Sequence, residues 1–407
     1  MAAAPAVSAL RVDAPVASPM AEIPRLLDYL AQVPDHRRAQ GRRHSLRSIL
    51  ALCVVAVLCG RDHLRGIFEW GRNADPAVLE AMGFHGGRTP AGSTLHRVIT
   101  SLQWEFLVEA VRLWAAECLV RQDPTGQAAV AIDGKTVRGS ARAGASLPHC
   151  LTAFAGSVGV TLDVAAVQAS GNEVQELPAM VRRAGNVLRG RVVTADALHT
   201  QETTAIAIRD VGAHYLLPVK KNRPELFQRL EAIWQTAPGA SWNLDVGSTG
   251  GREHGRFEVR RLEALAVPEG RLSEWGAACC QVFRLERRTA RWDRKNKGFR
   301  HSHTVVYGIT SLARTEADAS RLLALVRGHW LIENVSHWCR DTVFYEDARR
   351  NSGVAGVCFN VLMNTVALTL LHWITARPAK GGKRIASSRR KLQQHPEAAL
   401  ALVGVGT

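Results

Sequence analysis

Between Ala128 and Trp234 the chain alternates short, nearly continuous apolar runs with stretches of helical apolar spacing. Ala128-Ala-Val-Ala-Ile132 is one such run, and Arg191-Val-Val-Thr-Ala195 and His214-Tyr-Leu-Leu-Pro-Val219 share its character. Runs of this kind suit strands buried on both faces. His149–Ser157 and Thr161–Gln168 also read as strands, whereas Glu176–Arg183, Thr200–Val211 and Pro224–Trp234 carry helical spacing. Strands interleaved with helices predict an α/β fold, a sheet packed by helices on its faces.

The flanking segments differ in texture. Residues 1–20 are rich in Ala and Pro and read as a disordered leader. They lack a basic start followed by a continuous apolar stretch, so they do not read as a signal peptide. Residues 21–125 read as a helical region, with a new helix near Leu95 capped by Ser93 or Thr94. The α/β region is expected to span 126–375, interrupted by an inserted β-rich module at about 237–310. Ala317–Ile374 returns to helix, and 376–407 reads as a basic, flexible tail. Val354–Ile374 is long enough to cross a membrane, but Asn360, Asn364 and His372 favour a buried helix. Eight cysteines without a C-x-x-C pair argue for a reducing compartment and against a zinc knuckle.

Charge narrows the partners. The 407 residues carry a formal net charge of +16, and only eight of the 52 cationic side chains are Lys. Arg suits bidentate phosphate contacts. The excess points to a polyanionic partner, most simply nucleic acid, with an acidic membrane surface or an Arg-rich solvated face as the alternatives. Arg37, Arg38 and Arg43 lie in one cluster, and Arg284–Arg300 carries eight cations against two acids. Both are candidates for sequence-independent backbone grip. Ser93–Ser101 is the best candidate for a recognition helix.

Asp133 and Asp196 each close a strand-like run, where open α/β sheets place ligands. They either converge on one site or serve locally, Asp133 in a turn with Gly134 and Asp196 as a helix cap. In His329-Trp-Leu-Ile-Glu-Asn-Val-Ser-His-Trp338, a helix would set His329, Glu333, His337 and Asp341 on one stripe. That stripe is either a solvated face or part of a site, and a zinc hydrolase reading lacks an H-E-x-x-H. Asp133, Asp196 and Glu333 together make a carboxylate triad able to hold two divalent ions roughly 3.5–4 Å apart. Mg²⁺, or Mn²⁺ in its place, suits such oxygen ligands.

At this point the chain resembles the ISAs-type insertion-sequence transposases, which include the H-repeat-associated proteins. The matching motifs are Pro34-Asp-His-Arg37, Asp133-Gly-Lys-Thr-Val-Arg-Gly-Ser140, Asn172-Glu173, Thr194-Ala-Asp-Ala-Leu-His-Thr-Gln201, Tyr215-Leu-Leu-Pro-Val-Lys220, His254-Gly-Arg-Phe-Glu258, His329-Trp-Leu-Ile-Glu-Asn334 and His337-Trp338. They run in order over about residues 21–375. The resemblance implies an RNase H-like DDE core with Asp133, Asp196 and Glu333 as the metal-binding triad. It implies a β-rich insertion between the second Asp and the Glu, and a helical DNA-binding or associated region before the core. The implied activity is metal-dependent cleavage and strand transfer at the ends of an insertion sequence. A nuclease without joining, or a silent DNA-binding relative, remains compatible with the same residues.

That resemblance further implies double-stranded DNA as partner, a homodimer or higher assembly on DNA, no membrane, and a cytoplasmic, nucleoid-associated location. Related transposases often carry Tyr, Arg, Glu and Lys around the catalytic Glu. Here Val326, His329 and Arg340 stand at those flanking positions. Lys135, Arg138, Lys220, Lys221, Arg223 and Arg340 are candidates to hold phosphates. Asn334, His329 and His337 are candidates to support the site, and His199 either reaches it or serves structure. Trp330 and Trp338 either stack on bases or pack in the core, with packing expected for at least one of them.

Overall fold

The computed structural model describes residues 23–138, 149–167, 173–236, 244–253, 255–267, 272, 275, 279–348, 354–375 and 383–405. The expected leader at 1–20 lies outside these, as do the motif residues Gly139, Ser140, Asn172 and His254.

The chain opens with six helices: α1 (Leu26–Leu30), α2 (Leu46–Leu58), α3 (Leu64–Asn73), α4 (Pro76–Ala81), α5 (Gly92–Thr100) and α6 (Trp104–Gln122). Ser45 caps α2 by accepting from the Ser48 N–H. Apart from Arg47, α2 is buried all round, as a helix apolar on every face must be. The cap expected at Ser93 or Thr94 is absent. Helix α5 starts at Gly92, three residues before Leu95, behind Ala91 and with no side-chain cap.

Three strands follow: β1 (Val130–Thr136), β2 (His149–Ala155) and β3 (Val160–Val167). Then come α7 (Glu173–Ala184), β4 (Val192–Ala195), α8 (Glu202–Asp210), β5 (His214–Val219) and α9 (Pro224–Thr236). Strands β6 (Asp245–Glu253), β7 (Arg256–Ala266), β8 (Gln281–Asp293) and β9 (Gly298–Thr310) complete one nine-stranded sheet of order β3-β2-β1-β4-β5-β9-β8-β7-β6. β1, β4 and β5 run parallel, and every other pairing is antiparallel. The stretch expected as a β-rich insertion at about 237–310 holds β6–β9 and is continuous with the core sheet. β9 pairs with β5 and extends the same sheet.

Helix α10 (Ala319–His329), a π-helical turn (Ile332–His337) and α11 (Trp338–Thr342) lie on one face of the sheet. Leu322 and Leu323 of α10 bury against Val192, Leu216, Leu262 and Phe283. Each such side chain, fully buried, contributes about 1.5–3 kcal/mol. The opposite face packs on the main core, which includes α12 (Val354–Ile374). Helix α12 is long and apolar enough to cross a membrane, yet 94% of its apolar window is buried inside the protein.

The flexible tail expected at 376–407 is corrected over its described part. Residues 383–405 form α13 (Lys383–Gln394) and α14 (Pro396–Val403), both packed on the amino-terminal helices. Arg389 is buried, donates to the Val57 and Val343 carbonyls, and stacks over Phe344 at 4.4 Å. Its charge is spent inside the fold.

Candidate active site

The parallel ladder between β1 and β4 ends at the pair Ile132 and Ala195. Asp133 and Asp196 are the next residues on the two strands, so both carboxylates leave the sheet side by side. β1 itself continues to Thr136 against β2, so Asp133 does not sit in a turn with Gly134. Asp196 caps the short turn Ala197–His199, its Oδ1 accepting from the Leu198 and His199 N–H groups.

Alternation along β1 sends Ala131, Asp133 and Lys135 to the face covered by the α10–α11 segment. Ile332 and Val335 of the π turn bury against Ala131 and Phe154. His337 Nδ1 lies 3.7 Å from Asp133 Oδ2, and His329 Nδ1 lies 2.9 Å from Thr194 Oγ1. Glu333 sits on that π turn and is exposed, as is Asn334. Single π turns inside helices recur at functional sites.

The acids act on one another through their charge. The Asp133 carboxyl is pushed up to about 7, first by burial and then by Asp196, with Glu333 and Glu173 adding to it. The Gly134 N–H opposes the shift by bonding to the carboxylate. Burial pushes the His329 imidazole down to about 4 and His337 well below its ordinary value. Both rings are therefore neutral at neutral pH. Among the described residues, no three His, Cys, Asp or Glu side chains close around a common point as a metal cage would require.

The basic residues divide sharply. Lys220 and Lys221 are exposed just after β5. Their loop is tied to the Asp196 turn, because Asn222 donates to the Ala197 carbonyl and Arg223 to the Thr200 carbonyl. Lys135 is 7% exposed and pairs with Asp341 and Asp347 at 2.8 and 3.0 Å. Arg340 is fully buried and forks onto Glu346 at 3.0 and 2.7 Å. Neither reaches a surface where DNA phosphate could lie, which corrects the reading of both as phosphate contacts. Their burial follows from the pairing partners, which lie more than 200 residues along the chain for Lys135 and six residues on for Arg340.

Arg138 is exposed, and its N–H bonds Asp347. Arg37 is held by Asp35 and by the Gly41 and His44 carbonyls, whereas Arg38 and Arg43 are exposed in the loop before α2. This cluster belongs to the amino-terminal helices and not to the strand ends. Trp330 and Trp338 are 47% and 43% exposed, so the core packing expected for at least one of them does not occur.

His199 is buried 3.9 Å from Asp196, and Glu173 and His149 stand beside it. The roles of the latter two escape sequence reasoning. The available signals are a His opening an otherwise apolar strand and the Asn172-Glu173 motif at the start of α7, to which the sequence attaches no role.

Two aspartates thus follow the strand pair where its parallel ladder ends, and a glutamate sits on the turn packed against the same face, which makes this the candidate carboxylate site. Comparison with known proteins gives the family. Residues 124–370 match the Transposase DDE domain and residues 27–115 match the DDE_Tnp_1-associated region, so the chain belongs to the DDE transposase family, enzymes that cut and transfer DNA. It is 31% identical over 335 residues to "Putative transposase YncI" of Escherichia coli O157:H7, covering 81% of this chain and 82% of that one. It is 26% identical over 359 residues to "H repeat-associated putative transposase YhhI" of Escherichia coli (strain K12), covering 84% and 91%. A piggyBac transposase in a synaptic complex with hairpin DNA overlays at a TM-score of 0.42 and 10% identity, over 93% of this chain and 77% of that one, an overlap too weak to inform fold or function.

Proposed function

We propose that the protein is a DNA transposase that cuts strands at the ends of an insertion sequence and joins them to target DNA. Asp133, Asp196 and Glu333 are the acids that hold the required divalent metal, Mg²⁺ with Mn²⁺ as substitute. The observation that carries this reading is geometric: the β1–β4 ladder ends immediately before Asp133 and Asp196, and Glu333 stands on the turn packed against the same face, a gathering of acids that calls for a cation. The donor set fits such an ion: hard oxygen ligands, open to solvent at Asp196 and Glu333, leave room for the waters Mg²⁺ retains. When bound, the metal supplies an activated water or 3′-hydroxyl and stabilises the leaving oxygen.

The chain's own residues supply the rest. The end of the β1–β4 ladder fixes the two aspartates side by side, and the packing of Ile332 and Val335 fixes the turn bearing Glu333. Lys220, Lys221, Arg38 and Arg43 offer exposed charge to phosphates. The order β3-β2-β1-β4-β5, with β1–β3 antiparallel and β1, β4 and β5 parallel, supports the RNase H-like reading of the core. The working form is a homodimer or larger assembly on double-stranded DNA, in the cytoplasm with the nucleoid.

The test is a cleavage and joining assay on duplex carrying the DNA that flanks the gene, with Mg²⁺ or Mn²⁺. Metal-dependent cut and joined strands are expected from the wild type. Asp133→Asn and Glu333→Gln should bind DNA and cut nothing. Cutting without joining would make the protein a nuclease, and binding without cutting a silent relative.

A further inference from the structure

Behind β1, on the face opposite the π turn, three side chains form a buried chain. Glu173, the first residue of α7, is 6% exposed. Its Oε1 lies 2.6 Å from His149 Nε2, and His149 Nδ1 lies 3.0 Å from Thr136 Oγ1. Its Oε2 lies 3.7 Å from His199 Nε2, which is itself 3.9 Å from Asp196 Oδ1. Gly134 makes this arrangement fit, because a Cβ there would collide with both His149 Nε2 and Glu173 Oε2. The residue directly after Asp133 thus lacks a side chain where an acid approaches from the other face.

We propose that Glu173 is a positioning residue of the carboxylate site: anchored by His149, it fixes the His199 ring and through it the Asp196 carboxylate beside Asp133. This rests on the function proposed above. Burying an acid between two imidazoles is a poor route to stability, since desolvation offsets the attraction. The placement makes sense as support for a site. Glu173 also reaches Asp133 electrostatically, adding to the repulsion that raises its carboxyl. Partners one step removed from a metal typically change its affinity about 10–100-fold when removed.

The experiment is a Mn²⁺ titration of the full chain without DNA, followed by calorimetry, on wild type, Asp133→Asn, Glu173→Gln and His199→Gln. Thermal midpoints and cleavage at limiting and saturating Mn²⁺ are measured alongside. Wild type should bind and Asp133→Asn should not. Glu173→Gln should bind about tenfold or more weakly, and its cleavage should recover as Mn²⁺ is raised. A purely structural role would lower the thermal midpoint and leave Mn²⁺ affinity untouched, which overturns the proposal. Should Glu173→Gln fail to fold, wild-type Mn²⁺ affinity in His199→Gln overturns it equally. A wild type that binds no Mn²⁺ removes the proposed function itself, and this inference falls with it.

Discussion

Lys135 Nζ lies 2.8 Å from Asp341 Oδ1, a contact that joins the strand of Asp133 to the helix that follows Glu333. Lys135 stands two residues beyond Asp133, and Asp341 eight beyond Glu333. Asp347 and Glu346 complete the acid shell around the same ammonium at 3.0 and 3.7 Å. The pairing holds the two halves of the candidate site in register.

Replacing that ammonium tests its role directly. Lys135→Met takes the ammonium from Asp341 and Asp347 and leaves Glu346 to Arg340. The fold should lose about 2–4 kcal/mol, less than a fully enclosed pair because Asp341 and Asp347 are partly open to solvent. Urea unfolding gives the loss, and DNA affinity of the folded protein should stay unchanged. Weaker DNA binding at undiminished stability would return Lys135 to the phosphate contacts.

Arg340 calls for a paired test. Arg340→Met alone strands the Glu346 carboxylate, at about 3–5 kcal/mol. Adding Glu346→Leu should recover part of this. Recovery is incomplete because Lys135 and Asn364 also bind Glu346 and would lose a partner. Thermal unfolding of single and double variants measures the coupling. No recovery at all would show that the Arg340–Glu346 pair is not what binds this corner together.

Acid should loosen the fold in a defined window. The His372 ring is 2% exposed beside Phe154, and burial pushes its imidazole down to about 4. The unfolded chain takes up that proton near its ordinary value of 6.5, before the folded chain does. Stability is therefore full above about 6.5 and is lost as pH falls towards 4, by on the order of 3 kcal/mol from this group. His372→Leu should flatten the decline, with His329 and His337 contributing their own share in the same direction. An acid limb of unchanged slope in urea unfolding of His372→Leu would refute the assignment.

The outer part of β8 and β9 predicts a salt signature. Arg291 and Arg300 stand opposite each other in register and are both exposed. Changing either to Ala should weaken DNA binding across all sequences and reduce the slope of log affinity against log salt by about 1. Filter binding over a range of salt reads this. An unchanged slope would place the DNA elsewhere.

The strands around Asp133 and Asp196 are legible in the sequence because a buried parallel ladder demands continuous apolar runs, and 128–132 and 191–195 supply them. The helix at 354–374 is legible as a core helix from its Asn and His residues. What is not legible depends on partners that only the fold brings into reach. Lys135 and Arg340 look like surface cations until Asp341 and Glu346 are placed beside them. Arg389 sits in a stretch polar enough to read as a loose tail, and contacts with Val57, Val343, Phe344 and Asp62 make it an internal residue. The π turn under Glu333 has no sequence period of its own, and β9 joins β5 across almost 90 residues of chain.

That β9 strand belongs to two parts of the molecule at once. Its last residues, Tyr307–Thr310, ladder onto β5, while residues 298–306 run on past Val219 for about 30 Å at roughly 3.3 Å per residue. β8 accompanies it along the whole length. No joint separates the outer ribbon from the strands that end at the aspartates. A load applied at Trp292 or Phe299 is carried along unbroken hydrogen bonds into β5, and from there into the strand that delivers Asp196. The ribbon is thus a cantilever built into the sheet. Whatever is fastened to its tip is joined to the carboxylates by hydrogen-bonded strand all the way.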